Sequence, residues 1–573
     1  MMNANKKHVI VKSLLAACLL AGSSISAVAQ TDSEFQPVVV ASISSAGELL
    51  SDLSSLGEMI GMKDLDWTAL TQNEDVVEAL DKTRPIGTIV RTDGSTFESL
   101  GFLPVQNIDA LFEALEPIIG TPSDNGDGIY EIDQPIALYV KHENGWAFVS
   151  QTMDVLSDLP EDPASLLGHL DQEYDVAIRA HIHNVPQIFR QMAIGWIQFG
   201  VQEELSQLDG LDDSQSELRR QWMNNSLKQM NSLINETDTI TLGWDVDQSG
   251  RQVQLDMGMT AVAGTTSAER MKTIKLAASE HAGFLLDDAA ATLHFHSEMS
   301  PEDILNTVQM LNGVKVGALE YLDDDEGFST DESREKAQQV LGGLFDIVAS
   351  TVESGVLEGG AAIFTKPDSL SLVTGGRLQD GEALEQNLRN LANLVQEEDG
   401  FPKVQWNTGE VQGIRLHSLQ LPIEDERLAK ILGDRLQIVL GTGPQQGYVA
   451  LGDGAEDLLK RVIDKSAEDR NELLAPSQIV VALSPIVKYL ESLRDDFPEL
   501  ETMADIEVGA SGRDRVIAKT VPIENGVMSR IVIEEDALRV LGALGQALGE
   551  QFRAAAAAQF DAPLEPGLNL DEE

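Results

Sequence analysis

Ala291-Thr292-Leu293-His294-Phe295-His296-Ser297-Glu298-Met299-Ser300-Pro301-Glu302-Asp303-Ile304-Leu305 is the stretch on which the fold turns. Residues 291–296 alternate side-chain types as a strand does, Ser300-Pro301 breaks the run, and Glu302 to Leu311 carries the three-and-four spacing of an amphipathic helix. The break has a mechanism. Ser accepts from the unpaired amides of a first helical turn, and Pro loses nothing at the first helical position, where its missing N–H had no partner anyway.

The same strand, break and helix occur three more times. Val38-Val39-Val40-Ala41-Ser42 leads to a helix near Gly47 to Ile60; Val176 to His183 leads through Asn184-Val185-Pro186 to Gln187 to Phe199; Ile479 to Leu483 leads through Ser484-Pro485 to Ile486 to Leu493. Each copy then continues into a hairpin: Ile86 to Val90 with Phe97 to Leu103, Thr239 to Asp245 with Val253 to Thr260, Ala361 to Thr365 with Ser369 to Gly375, and Arg515 to Val521 with Val527 to Ile533. Turn chemistry supports them, as in Thr92-Asp93-Gly94 and Asp247-Gln248-Ser249-Gly250. Asn107 to Leu115, Gly381 to Leu394 and Glu535 to Gln551 follow as helices with one apolar stripe.

Copies one and three add a strand pair and a helix, Ile136 to Ser150 with Thr152 to Leu159 and Leu436 to Leu451 with Ala455 to Val462. The units therefore alternate long and short, so the period is a pair of units. The expectation is an α+β fold, internally duplicated, in two similar halves at 33–280 and 281–556. Each half is an antiparallel or mixed sheet covered by amphipathic helices, because hairpins rather than crossovers join the strands. Gln202 to Ile234 and the acidic Asp323 to Glu332 read as insertions. Ala554 to Ala558 extends the last helix, and 557–573 reads as an acidic disordered tail.

At the other end, Lys6, Lys7 and Lys12 precede the apolar Leu14 to Ile25, and Ala27-Val28-Ala29 is a small-x-small cleavage signature. Residues 1–29 read as a secretory signal peptide, which places the mature chain in the periplasm or outside the cell. A lipid anchor at Cys18 is the rival reading, from Leu15-Ala16-Ala17-Cys18; Lys12 opposes it, leaving too short an apolar segment before the cysteine. Cys18 is the single cysteine, so cleavage after Ala29 removes disulfides, thiolate nucleophiles and Cys-bound zinc together. No later stretch is apolar enough for a transmembrane segment.

The formal charge is −54, from 40 Lys and Arg against 94 Asp and Glu, and losing Lys6, Lys7 and Lys12 takes it to −57. That excludes nucleic acid as a partner, since phosphate binding rests on Lys and Arg. An acidic solvated surface in a saline habitat is the plain reading.

Few constellations carry chemistry. His181-Ile182-His183 and His294-Phe295-His296 lie in two of the four equivalent strands, and residues two apart share a strand face, so each pair presents two imidazoles as metal sites do. His181, His183, His294 and His296 are the candidate metal ligands, with Asn184 and Glu298 beside them. The competing reading is four polar residues on half-buried strands. Gly441-Thr442-Gly443-Pro444-Gln445-Gln446-Gly447 looks like a dinucleotide-binding turn, but Tyr448 to Leu451 reads as a returning strand where the fingerprint needs a helix. Asp124-Asn125-Gly126-Asp127-Gly128 with Glu131, and Asp323-Asp324-Asp325-Glu326-Gly327, lack the full ligand register of a Ca²⁺ loop and read as turns. Ile188 to Phe199, with Met192, Trp196 and Phe199, either packs into the core or lines an apolar groove; core packing is the expectation.

The export signal, the acidity, the strand-Ser-Pro-helix units and hairpins such as Gly359-Gly360-Ala361-Ala362-Ile363 together resemble secreted proteins of planctomycete-type bacteria grouped under domains of unknown function. The resemblance covers most of the mature chain and implies no activity. Without a complete catalytic set, the functional expectation is an exported, non-catalytic protein that binds an unidentified protein or small ligand and needs no cofactor. The alternatives are a metal-dependent hydrolase using the paired histidines, with Zn²⁺ as its ion, Ca²⁺ being the ion of the acidic loops, and a carrier of an apolar ligand.

Overall fold

The computed structural model describes residues 35–61, 74–133, 137–206, 213–324, 330–367, 369–396, 402–497, 509 and 511–545. The segment expected to be a signal peptide, Cys18, the central part of the acidic loop and the C-terminal segment with its alanine run lie outside the described residues.

Among the described residues, twenty strands form one sheet in which every pairing is antiparallel. In chain order the strands are β1 (Gln36–Ile43), β2 (Ile86–Thr92), β3 (Phe97–Pro104), β4 (Ser123–Asp124), β5 (Ile129–Ile132), β6 (Leu138–Glu143), β7 (Trp146–Ser150), β8 (Val176–His181), β9 (Thr237–Asp247), β10 (Gln252–Ala261) and β11 (Ala277–Ala278). The second run is β12 (Ala291–Glu298), β13 (Val356–Lys366), β14 (Ser369–Arg377), β15 (Gln405–Val411), β16 (Ile414–Pro422), β17 (Arg435–Gly443), β18 (Gln446–Leu451), β19 (Leu473–Leu474), β20 (Ser477–Ala482), β21 (Arg515–Ile523) and β22 (Gly526–Glu534). β11 and β19 pair with each other outside the large sheet.

At the centre β10 pairs with β22 from Gln252↔Glu534 to Thr260↔Gly526. Outward from this seam one side runs β10, β9, β8, β1, β2, β3, β7, β6, β5, β4. The other runs β22, β21, β20, β12, β13, β14, β18, β17, β16, β15. The chain enters the strands in like order on both sides, and the four strand-break-helix segments supply the adjacent pairs β1–β8 and β12–β20. The four expected hairpins and both added strand pairs form; the α+β class holds, and the sheet is antiparallel throughout.

Local chemistry explains the elements. Ser45 caps the helix Ala46–Met59 by accepting from the Glu48 amide, Asn107 caps Ile108–Ile119, and Thr330 with Ser333 forms a reciprocal capping box for Asp331–Glu353. Four glycines, Gly359 and Gly360 opposite Gly376 and Gly375, thin the β13–β14 hairpin. A Cβ on Gly360 would lie 2.6 Å from both the Leu293 carbonyl oxygen and the Phe284 ring, so only hydrogen there lets Phe284 settle on the sheet. Phe284 then anchors a core with Val373, Leu416, Val439, Tyr448 and Leu459, and Phe102, Trp146 and Phe148 anchor the counterpart in the first half.

Several expectations are corrected. β8 stops at His181, and residues 182–184 turn as a 3-10 helix, because Pro186 holds Val185 extended and Asn184 Nδ2 donates to the Pro37 carbonyl. Thr152 to Leu159 forms only the short turn Asp154–Leu156, cut off before Pro160. The regions read as insertions are two long helical excursions, Gln187–Ser206 with Asp213–Glu236 and Pro301–Asp324 with Asp331–Glu353, that leave β8 and β12 at the same end of the sheet. Among the described residues no helix is long and apolar enough to cross a membrane.

Candidate functional site

β12 carries His294 and His296 on one face, and its register with β13 sets His296 opposite Glu358 and His294 opposite Gly360. The segment after β11 brings Ser279 and His281 onto the same carboxylate. Ser279 Oγ donates to Glu358 Oε1 at 2.6 Å and lies 2.8 Å from His294 Nε2. The Glu280 amide donates to the same Oε1 at 2.6 Å, and His281 Nδ1 stands 3.2 Å from it. His296 Nδ1 is 3.6 Å from the other carboxylate oxygen. A serine hydroxyl has one proton; with it given to Glu358, His294 must present an N–H at Nε2, which leaves its Nδ1 as a bare acceptor.

Ser279, His281, His294 and Glu358 are buried, and the electrostatics follow. Burial pushes the His294 imidazole down to about 4, against the pull of Glu358, so it is neutral at pH 7. Burial alone would raise the Glu358 carboxyl, but the close His281 imidazole, the hydrogen bond from Ser279 and the nearby His296 ring outweigh it and hold the group at about 2. Nucleophilic catalysis needs the imidazole to take the serine proton while a carboxylate braces its far nitrogen. Here the serine donates its hydrogen bond to the carboxylate instead of to the imidazole, and among the described residues His294 Nδ1 has no partner. Nor do the donor atoms of these groups converge within 4.8 Å of one another, as three ligands of one ion would. The arrangement fastens residues 277–286 to β12 and β13.

A parallel network lies in the same half. His417 Nε2 meets Thr442 Oγ1 at 3.0 Å, and Thr442 donates to Glu385 Oε2 at 3.1 Å. Glu385 is paired with Arg389 and Arg415. Burial pushes the His417 imidazole down, and the Asn407 amide donates to its Nδ1.

The four candidate histidines do not meet. β8 and β12 are separated by β9, β10, β22, β21 and β20, which is six strand steps and about 29 Å along the sheet. His183, in its turn, no longer shares a strand face with His181. Sequence reasoning missed Ser279, His281 and Glu358; the signal available was the β12–β13 register, which puts a carboxylate beside His296. The Asp124 loop is a hairpin in which Asn125 Nδ2 donates to Glu131. Gly443 to Gln446 turns between β17 and β18 as a hairpin does.

The opposite face of the central sheet is apolar and open. The rows Ile178–Leu242–Met257 and Leu255–Ile531–Ala518–Ile479–Leu293 run across β8 to β12 on one face, with Phe295 two residues beyond Leu293. Ile178, Leu242, Leu255, Met257, Ile531, Ile479 and Phe295 are all exposed, Met257 to 57%. Nearby, the helix Gln187–Ser206 exposes Ile188, Met192, Trp196 (77%) and Phe199 (73%) at spacings of four, four and three, a single stripe. The expected core packing of that stripe is overturned. The two helical excursions meet each other, Lys228 pairing with Glu302 across them. No family model, curated protein or solved structure matches the chain.

Proposed function

We propose that this is an exported, non-catalytic binding protein, built from two copies of a ten-strand unit, that takes an apolar ligand on the open face of its central sheet. The observation that carries the reading is the run of exposed Ile, Leu, Met and Phe side chains across that face. Proteins seldom leave a contiguous apolar surface uncovered unless something binds there. The exposed stripe 188–199, on the helix that follows β8, is a second apolar surface of the same half, and the like strand order on either side of the seam supports the two copies. A charge of −54 selects among apolar molecules: an anionic headgroup is repelled, so the ligand is neutral or cationic. The hydrolase reading loses support because His181 and His183 stand six strands from His294 and His296.

The test is solvent extraction of the native protein followed by mass spectrometry, together with titration of the neutral dye Nile red. Wild-type protein should release hydrocarbon-bearing molecules and brighten the dye. The double variant Leu242→Glu, Met257→Glu changes only exposed side chains, so it should keep its far-UV circular dichroism and lose both signals. Dye binding by the double variant equal to wild type would overturn the reading.

A further inference from the structure

We propose that Glu48, Asp52 and Asp175 form a calcium site that locks the helix Ala46–Met59 onto the edge of the central sheet. Glu48 and Asp52 are one helical turn apart on that helix, and Asp175 immediately precedes β8. One carboxylate oxygen from each lies within 4.8 Å of the other two. Oxygens bound to a single Ca²⁺ at about 2.3–2.6 Å can be at most about 5 Å apart, so the three are close enough together to share one ion.

The second observation is a hydroxyl. The Ser44 amide donates to the Asp175 carbonyl at 2.9 Å, which extends the β1–β8 register by one pair and sets Ser44 opposite Asp175 on the same face. Directly opposed side chains have Cβ atoms about 4.5–5.5 Å apart. Ser44 is only 8% exposed, and its Oγ has no hydrogen-bond partner. A buried hydroxyl on the same face as the buried Asp175, with no partner among the described residues, is a group whose partner is still to arrive.

The charges are also uncompensated. Asp52 and Asp175 are almost wholly buried, yet among the described residues no Lys or Arg pairs with either of them or with Glu48. Gln248 Nε2 donates to Asp52 at 2.6 Å and the Val246 amide to Asp175 at 2.8 Å, while the Asp52 and Asp175 carboxyls meet each other in a hydrogen bond that needs one shared proton, the proton a bound ion would replace. Asp245, half-buried at the next position of the row, adds a further negative group. An all-oxygen donor set with no His or Cys excludes a preference for zinc. Two buried carboxylates leave little room for the waters that Mg²⁺ retains, so the site suits Ca²⁺. Glu48 is exposed and forms the entrance. The helix so held ends at Met59, which is buried against Val246, Val253 and Leu538 beside the seam.

The experiment is equilibrium dialysis of the full chain against Ca²⁺ at pH 8, after removal of divalent ions. It compares wild type with Glu48→Gln, Asp175→Asn and, as a control for diffuse surface binding, Glu113→Gln. Wild type and Glu113→Gln should bind one more Ca²⁺ at saturation than Asp175→Asn, with affinity weakened about tenfold or more in Glu48→Gln, the scale on which ligand charge tunes such sites. Ca²⁺ should raise the melting temperature of wild type above that of the dialysed protein, an increase absent from Asp175→Asn. Glu48 is exposed, so its variant folds and keeps the test decisive should Asp175→Asn misfold. Equal binding by wild type and Glu48→Gln, or an equal response to Mg²⁺, overturns the proposal.

Discussion

Removing Arg530 should cost this fold more than removing any other single charge at the seam. Arg530 of β22 donates through Nε and Nη2 to both oxygens of Asp256 on β10, at 2.9 and 2.7 Å. The Asp256 side chain is 1% exposed and that of Arg530 29%. Tyr174 Oη also donates to Asp256, at 3.1 Å, and Gln254 Nε2 at 3.2 Å. In Arg530→Met the aliphatic stem survives and the guanidinium goes, leaving a buried carboxylate with two neutral donors. Breaking a buried pair from one side costs about 3–5 kcal/mol. Water can reach the exposed third of the arginine site, so the lower end, about 3 kcal/mol, is expected. Asp256→Asn leaves a cation that can turn to solvent and an amide that still accepts from Tyr174, so its cost is about 1–2 kcal/mol. The double variant should then be less destabilised than the sum, by about 1–3 kcal/mol of coupling.

Urea unfolding of all four proteins at pH 7, followed by tryptophan fluorescence, closes the cycle. The deficit of Arg530→Met should shrink below pH 5, because an unpaired buried carboxylate accepts a proton more readily in the folded than in the unfolded chain. An Arg530→Met protein within 0.5 kcal/mol of wild type, an expectation set by ordinary surface substitutions at about that size, or costs that simply add, would refute the reasoning.

Three further outcomes follow from the same structure. Burial, aided by Asp52 and Asp245, pushes the Asp175 carboxyl up to about 7. A folded-state value raised above the unfolded one contributes stability that is complete below about pH 4 and lost as pH rises through 7. In divalent-free buffer, wild type should therefore lose up to about 4 kcal/mol relative to Asp175→Asn between pH 4 and 8, read from urea midpoints; parallel pH profiles would contradict it. Gly360→Ala should destabilise by about 1–3 kcal/mol, since its Cβ meets the immovable Leu293 carbonyl. Gly195→Ala, on a helix position with nothing within 4 Å, should stabilise by about 0.5–1 kcal/mol, and thermal melts that rank the two the other way would show the packing argument to be wrong.

What the chain discloses about its fold depends on how local each signal is. β12 is legible because its alternation and the Ser300-Pro301 break lie within fifteen residues. β15 and β16 escape notice because Asn407 takes a positive φ of 55° and the register slips between Gln405 and Gly409, so the period-two pattern is interrupted where it would be read. The His294 and His296 pair is legible from its spacing. Its carboxylate is not, because Glu358 reaches His296 only after the excursion through residues 301–353 closes on itself. The Asp175 cluster is harder still: three residues from two elements converge only when the β1–β8 register is known, and that pairing joins segments more than a hundred residues apart.

The helix at 188–199 marks a different kind of limit. Apolar residues every three or four positions state that one face of a helix avoids water, and they say nothing about what covers it. In the helix Ala455–Asp469 the same periodicity puts Leu459, Val462 and Ile463 into the core beneath β17 and β18. In Gln187–Ser206 it leaves Trp196 and Phe199 in solvent, because that helix packs chiefly on the neighbouring helix Asp213–Glu236 and not on a sheet face. Topology, not pattern, separates a core stripe from an exposed one. On a surface this acidic, side chains of that kind are the ones whose exposure needs an external cause. The ligand proposed for Leu242 and Met257 would supply that cause for the sheet face.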